Sequence, residues 1–136
     1  MSEKNTTVLF VCVHNAGRSQ MAAGYLREFS QGKITVLSAG SEPKESINPI
    51  AVEVMREEGI DIANFTPKIL KTEDVQLSDV VITMGCGDAC PVFPGKRYED
   101  WLLEDPANQD IAKVRQIRDQ IKAKVLNLLD ELNSQE

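Results

Sequence analysis

Cys12 and Arg18 enclose five residues, Val13, His14, Asn15, Ala16 and Gly17, and Ser19 follows directly. A thiolate is a strong nucleophile, and a guanidinium is a planar fork of donors matched to two oxygens of a tetrahedral anion. Together they imply attack by sulfur on the central atom of a bound oxyanion. The apolar run Val8-Leu9-Phe10-Val11 before Cys12 reads as a buried strand, and Gln20-Met21-Ala22-Ala23 continues as a helix. A loop between a strand end and a helix N-terminus can turn successive N–H groups inward, and the helix adds partial positive charge. Val13 to Ser19 are therefore expected to form an oxyanion cradle, with Cys12 beneath it as a thiolate favoured by the same field. Asn15 and Ser19 are placed to brace the loop through side chains that bond its backbone and each other. A cysteine closing a strand is by itself usually a small core residue. The spacing to Arg18-Ser19 between a strand and a helix is what points to chemistry.

The elements that must hold this loop follow from the pattern of the chain. Lys33 to Ser38 reads as a second strand, and Ala39-Gly40-Ser41-Glu42-Pro43 as a turn-rich loop. Asn48 is placed to cap a helix with Pro49 in its first position, and Ile50, Ala51, Val54 and Met55 recur at helical spacing up to a stop at Gly59. No chemistry is visible there. Asp61 to Gln76 is polar and irregular, with Pro67 excluding a long helix. Within Leu77 to Met84 the run Asp79 to Met84 predicts a third strand buried on both faces, and Arg97 to Trp101 a short fourth. From Asn108 onward Ile111, Val114, Ile117, Ile121, Val125, Leu128 and Leu132 keep to steps of three and four, the mark of one long amphipathic helix. Alternating strands and helices predict an α/β fold with a parallel sheet covered on both faces. Its ligand should lie at the carboxyl ends of the strands, where the loops after strands one, three and four gather around Cys12.

The 136 residues form one expected domain, 1–136, long enough to bury a core without disulfide or metal support. With 15 basic against 21 acidic residues the chain lacks the broad positive field of a nucleic-acid binder, so an anionic substrate must be attracted locally. Three cysteines, an odd number, argue against a secreted disulfide framework. No apolar run reaches membrane-spanning length and the first residues are polar, so the expected location is the cytoplasm, away from membranes.

Two further groups bear on chemistry. Asp105-Pro106 is either an ordinary turn aspartate or a carboxyl group brought to the site. Gly85-Cys86-Gly87-Asp88-Ala89-Cys90-Pro91 follows the third strand on the functional edge. Cys86 and Cys90 are spaced for two zinc ligands, but Cys12 would have to move and His14 is the single histidine, so no metal is expected. His14 is expected to face solvent or an incoming thiol rather than to act as a catalytic base.

Cys12 to Ser19 resembles the C-x5-R-S loop of the low-molecular-weight tyrosine phosphatase superfamily, with Asn15 at its bracing position. Gln20-Met21-Ala22 is similar to the arsenate reductase branch, because the phosphatases usually carry proline after the serine. The resemblance continues through Ser38-Ala39-Gly40, Asn48-Pro49, Gly59-Ile60-Asp61 and Glu104-Asp105-Pro106-Ala107. It implies a four-stranded parallel sheet of flavodoxin-like type, attack of Cys12 on arsenate, Asp105 as general acid and phosphate as competitor. Ala107-Asn108 stands where many of the phosphatases carry paired tyrosines. His14, Gly17, Thr83 to Pro91 and Glu99-Asp100-Trp101 resemble the mycothiol-dependent arsenate reductases, and Ala23 stands where several thioredoxin-coupled enzymes carry a potassium-site glutamate. That likeness implies mycothiol as thiol co-substrate, a glutaredoxin-like mycoredoxin as partner, no bound cofactor, and Cys12 as the one cysteine required. Two alternatives of the same superfamily are a thioredoxin-coupled relay through Cys12, Cys86 and Cys90, and a tyrosine phosphatase. A third is an oxyanion-sensing protein that keeps the loop without turnover.

Overall fold

The structure is a computed structural model that describes residues 6–84 and 96–134. Cys86 and Cys90 lie outside the described residues. In chain order the elements are β1 (Thr6–Cys12), α1 (Arg18–Ser30), β2 (Ile34–Gly40), α2 (Pro49–Arg56), α3 (Thr72–Leu77), β3 (Val80–Met84), β4 (Arg97–Asp100) and α4 (Ile111–Ser134). The four strands pair in parallel in the order β2-β1-β3-β4. This is the expected α/β architecture. β1, central and flanked by β2 and β3, ends at Cys12, which pairs in register with Gly40 on one side and Met84 on the other.

Side-chain alternation along β1 divides the interior. Val8, Phe10 and Cys12 face the larger core with Val80, Ile82 and Met84, and pack against Met21, Tyr25 and Leu26 of α1, Met55 of α2 and Val114 to Leu128 of α4. Leu9 and Val11 face the other side, with Ala39, Val81 and Val75 of α3. Phe10 and Trp101 meet at a centroid distance of 5.8 Å, tying the central strand to the end of β4.

Three boundaries depart from the sequence pattern. β2 runs two residues beyond Ser38, because Ala39 and Gly40 continue the ladder opposite Val11 and Cys12. The Asp61–Gln76 stretch contains α3, whose first turn carries Glu73 and Asp74 and whose Val75 is fully buried. α4 begins at Ile111 because Asn108 has φ 62° and so ends any helix there, while Asp110 Oδ1 accepts from Lys113 N at 2.9 Å. The Asn48 cap forms as expected, its Oδ1 accepting from Ile50 N at 2.9 Å with Pro49 at the helix start. Gly59, at φ 76°, adopts the left-handed turn just past that helix.

The helical layer is clamped by ions. Arg118 of α4 donates to Val54 O and to Glu57, which Arg115 also holds. Glu58 accepts from Lys122 Nζ at 2.9 Å and from the Tyr25 hydroxyl at 3.1 Å. The Lys122 ammonium, aided by the Tyr25 hydroxyl, holds the Glu58 carboxyl below the usual carboxylate range, whereas burial and then Glu58 push the Tyr25 phenol up. A carboxyl lowered in the folded state stabilises the fold above its unfolded value of about 4.3 and loses that contribution as pH falls through the folded value. Glu58→Gln is therefore expected to lower the melting temperature at neutral pH. The gap from wild type should close as the pH falls below about 4, followed by thermal unfolding across a pH series.

Candidate active site

The Cys12–Arg18 loop owes its shape to the disposal of its carbonyls. Six in succession are bound from outside. Cys12 O accepts from Ser41 N, Val13 O from Glu42 N, His14 O from Lys44 N and Ala16 O from Asn48 N, all between 2.8 and 3.2 Å. Asn15 O accepts from Gln20 Nε2 at 3.1 Å, and Gly17 O from Met21 N at 2.9 Å. A tight loop whose carbonyls are all drawn outward turns its N–H groups toward its own centre. The Asn15 N–H shows the direction, since it donates to Cys12 Sγ at 3.2 Å. Helix α1 then begins at Arg18 with Gly17 as N-cap and no side-chain cap, which leaves its first N–H groups for an anion.

Asn15 holds this conformation. It is fully buried at φ 51°, a left-handed geometry that asparagine tolerates better than most residues. Its Oδ1 accepts from the backbone N of Lys68 at 2.8 Å and from Gln20 Nε2 at 3.2 Å, which fixes the amide orientation. Nδ2 therefore faces Ser19 and donates to its Oγ at 2.6 Å. With that lone pair taken, the Ser19 hydroxyl is set to donate its proton to Cys12 Sγ, 3.0 Å away. The Cys12 sulfur thus lies within hydrogen-bond reach of the Ser19 hydroxyl and the Asn15 N–H.

Arg18 and Asp105 come from opposite ends of the chain to one cavity. Arg18, with only 9% of its side chain exposed, donates from one terminal nitrogen to Leu103 O at 3.3 Å and turns the other toward Asp105 Oδ2 at 3.8 Å. Asp105, 47% exposed, accepts from Ala107 N with its other oxygen at 2.9 Å. The cavity of about 410 Å³ is lined by Cys12, His14, Ala16, Gly17 and Arg18, by Lys44 to Ile50 without Glu45, and by Asp105 to Asn108. Of the residues expected at the site, Cys12, His14, Ala16, Gly17, Arg18 and Asp105 line the cavity. Val13, Asn15 and Ser19 belong to the loop beneath it. Among the described residues no group of three His, Cys, Asp or Glu side chains is arranged to hold a metal ion.

The match to known proteins agrees with this geometry. The model of the family described as low molecular weight phosphotyrosine protein phosphatase matches residues 7–136. The chain belongs to that family. Within it, the chain groups with the arsenate reductases. It is 40% identical over 125 residues to the arsenate reductase of Staphylococcus xylosus, covering 89% of this chain and 94% of that protein. It is 39% identical over 129 residues to the glutaredoxin arsenate reductase of Synechocystis, covering 93% and 98%. The solved thioredoxin-dependent arsenate reductase of Corynebacterium glutamicum superposes with a TM-score of 0.90 at 40% identity, over all of this chain and 66% of that one. This chain thus spans about two thirds of the length of that structure.

The low-molecular-weight phosphatase loop is supported mainly by a segment in which the sequence shows no chemistry. The loop after β2 supplies four of the six outward donors and a whole cavity wall, because β2 lies beside β1 and ends level with Cys12. The loop after β4 meets the site as expected, whereas the loop after β3 starts at Gly85, outside the described residues. Lys68 enters through its backbone alone, with its N–H on Asn15 and its C=O accepting from Gly40 N at 2.8 Å.

Gly40 is the clearest missed requirement. A Cβ there would stand 2.6 Å from Val13 O and 2.9 Å from Asn15 N, both backbone atoms of the anion loop. The signal was the glycine itself, at the end of a strand adjacent to the nucleophile's strand. Gly40→Ala is expected to displace the loop and lower kcat/KM for an oxyanion substrate by about a hundredfold. Ser19→Ala, which removes only the hydroxyl donor, is expected to slow alkylation of Cys12 about tenfold or more, measured by mass spectrometry of the Cys12 peptide.

Proposed function

We propose that this protein reduces arsenate, with Cys12 as nucleophile and Asp105 as general acid. The observation that carries the reading is the Cys12 sulfur, within reach of the Ser19 hydroxyl and the Asn15 N–H in a loop whose carbonyls are all bound from outside, in one cavity with Arg18 and Asp105. Arsenate is held by the loop N–H groups from Val13 to Ser19 and by Arg18. Sulfur attacks arsenic, a sulfur–arsenic bond forms and an arsenic–oxygen bond breaks. Asp105 protonates the departing oxygen, which leaves as water. Phosphate, of the same shape and charge, competes. Apart from the His14 imidazole, no aromatic side chain lines the described cavity, so an aryl phosphate lacks a ring to stack on. This favours arsenate over phosphotyrosine.

The second half of the cycle takes a thiol from outside. In our reading mycothiol attacks the enzyme-bound arsenic, Cys12 departs as thiolate, and the adduct leaves with arsenic still pentavalent. A mycoredoxin thiol then attacks the mycothiol sulfur, and arsenic leaves with the bonding electrons as arsenite. The likeness of His14, Gly17 and the Glu99-Asp100-Trp101 segment to the mycothiol-dependent enzymes supports this, as does a glutaredoxin-named relative. No bound cofactor is required, and a free thiol reductant suits the reducing cytoplasm.

The Corynebacterium structure favours a second reading, a thioredoxin-coupled relay. There Cys86 attacks the Cys12 sulfur and expels arsenite, Cys90 resolves the disulfide, and thioredoxin reduces the resulting pair. Arsenite formation measured with mycothiol plus mycoredoxin, and separately with thioredoxin plus its reductase, separates the two. The mycothiol route is expected to lose all turnover in Cys12→Ser, to lose about a hundredfold or more in Asp105→Asn and to persist in Cys86→Ser. Turnover with thioredoxin alone, abolished by Cys86→Ser, assigns the relay instead. Steady aryl phosphate hydrolysis at rates comparable to arsenate turnover assigns a phosphatase. Tight arsenate or phosphate binding without turnover under either thiol system supports an oxyanion sensor.

A further inference from the structure

His14 lines the cavity and has a ring nitrogen that the first half of the cycle does not use. Its Nδ1 lies 3.1 Å from the backbone oxygen of Glu42. A carbonyl oxygen can only accept, so Nδ1 carries the proton in that bond. In the neutral ring Nε2 is then a bare base on the far side of the imidazole from Glu42. The ring is set by two bonds across the same gap, since the His14 carbonyl also accepts from Lys44 N at 3.0 Å. It lines the cavity with Cys12.

We propose that His14 Nε2 is the base that takes the proton from the thiol attacking Cys12-bound arsenic. The inference rests on the external-thiol reading above. At neutral pH an ordinary thiol is only a few per cent ionised, so the second half-reaction needs a proton acceptor where the first needs a donor. The charged and titratable groups around the ring are few among the described residues. Arg18 and Lys44 carry protons and cannot accept one. Glu42 holds the ring through its backbone. Asp105 has one oxygen on Ala107 N and the other turned to Arg18, so both of its oxygens already face donors. Cys12 is the leaving group. Among these described groups the imidazole keeps a ring nitrogen with no described partner.

The step balances without an oxidant. The thiol proton passes to Nε2, the thiol sulfur bonds to arsenic, and the arsenic–Cys12 bond breaks with its electrons on the Cys12 sulfur. Ser19 Oγ and Asn15 N receive that sulfur, and the imidazolium releases its proton to water.

The test is the pH dependence of kcat/KM for mycothiol, with arsenate saturating and mycoredoxin in excess. In wild type the value should reach a plateau by neutral pH. His14→Asn keeps a donor for the Glu42 carbonyl and lacks a basic nitrogen. It should fall about a hundredfold at neutral pH and climb with a slope of one toward about pH 8.5, where a thiol ionises unaided. Added imidazole should restore turnover in His14→Ala. A His14→Asn profile with the wild-type plateau overturns the inference, as does a loss that falls equally on kcat/KM for arsenate. Wild-type protein that turns over with thioredoxin but never with mycothiol overturns the external-thiol reading, and the inference with it.

Discussion

The site depends on where six carbonyl oxygens go. A backbone loop has one acceptor for each donor, and an anion can use only the donors. Bound arsenate or phosphate would be repelled by any carbonyl that turned inward. The fold prevents this by giving each carbonyl from Cys12 to Gly17 a donor on the outside, four from the loop after β2 and two from α1. The positive character of the site is thus a property of backbone direction more than of side-chain charge. That is how a chain with six more acidic than basic residues can bind a doubly charged anion.

The same constraint explains two glycines of the site, Gly40 and Gly17. Gly40 lets the loop after β2 approach closely enough for Ser41 and Glu42 to reach their carbonyls, where any Cβ would meet Val13 O at 2.6 Å. Gly17 does the corresponding service on the other side. A Cβ there would stand 2.6 Å from Cγ of Pro106, so the ring of Pro106 sits directly on the loop beside Arg18. Asp105 is therefore located by contact with the anion loop itself. Its Asx turn to Ala107 and the facing guanidinium complete the placement. Asp105 and Cys12 share one reference in the loop, although 93 residues of sequence separate them.

What the sequence made legible was local. Cys12, Arg18 and Ser19 lie within one strand–loop–helix unit, so their types and spacing carry the geometry with them, and the first three strands follow from short apolar runs. What it hid was long-range. Lys68 acts through a backbone N–H that no side-chain type announces, reaching Asn15 from 53 residues away. The loop after β2 looked like scaffold because its contribution is also backbone donors. α3 has six residues, too few to display a helical period, and is held by the burial of Val75 instead. The tautomer of His14 depends on an oxygen 28 residues distant. Side chains that do chemistry can be read from their neighbours in sequence, whereas the main-chain groups that aim them belong to the tertiary fold.

Arsenic and phosphorus oxyanions are nearly the same to this loop, so binding cannot be what separates a reductase from a phosphatase. The difference must arise after the sulfur–arsenic bond has formed. A phosphatase directs water at the intermediate and regenerates the oxyanion. A reductase must deliver sulfur there instead, and keep its own Cys12 able to leave. Both demands are met on one side of the loop. The Ser19 hydroxyl and the Asn15 N–H both face the Cys12 sulfur, which in the proposed cycle attacks first and departs later. Above it, the cavity is walled by Ile47, Ile50, Pro106 and Ala107, with His14 and Asp105 as its only side-chain bases among the described residues. Asp105 faces Arg18 and Ala107 N, while His14 is anchored through Nδ1 to the Glu42 carbonyl. In the proposed cycle these two side chains, on one cavity, serve the two half-reactions.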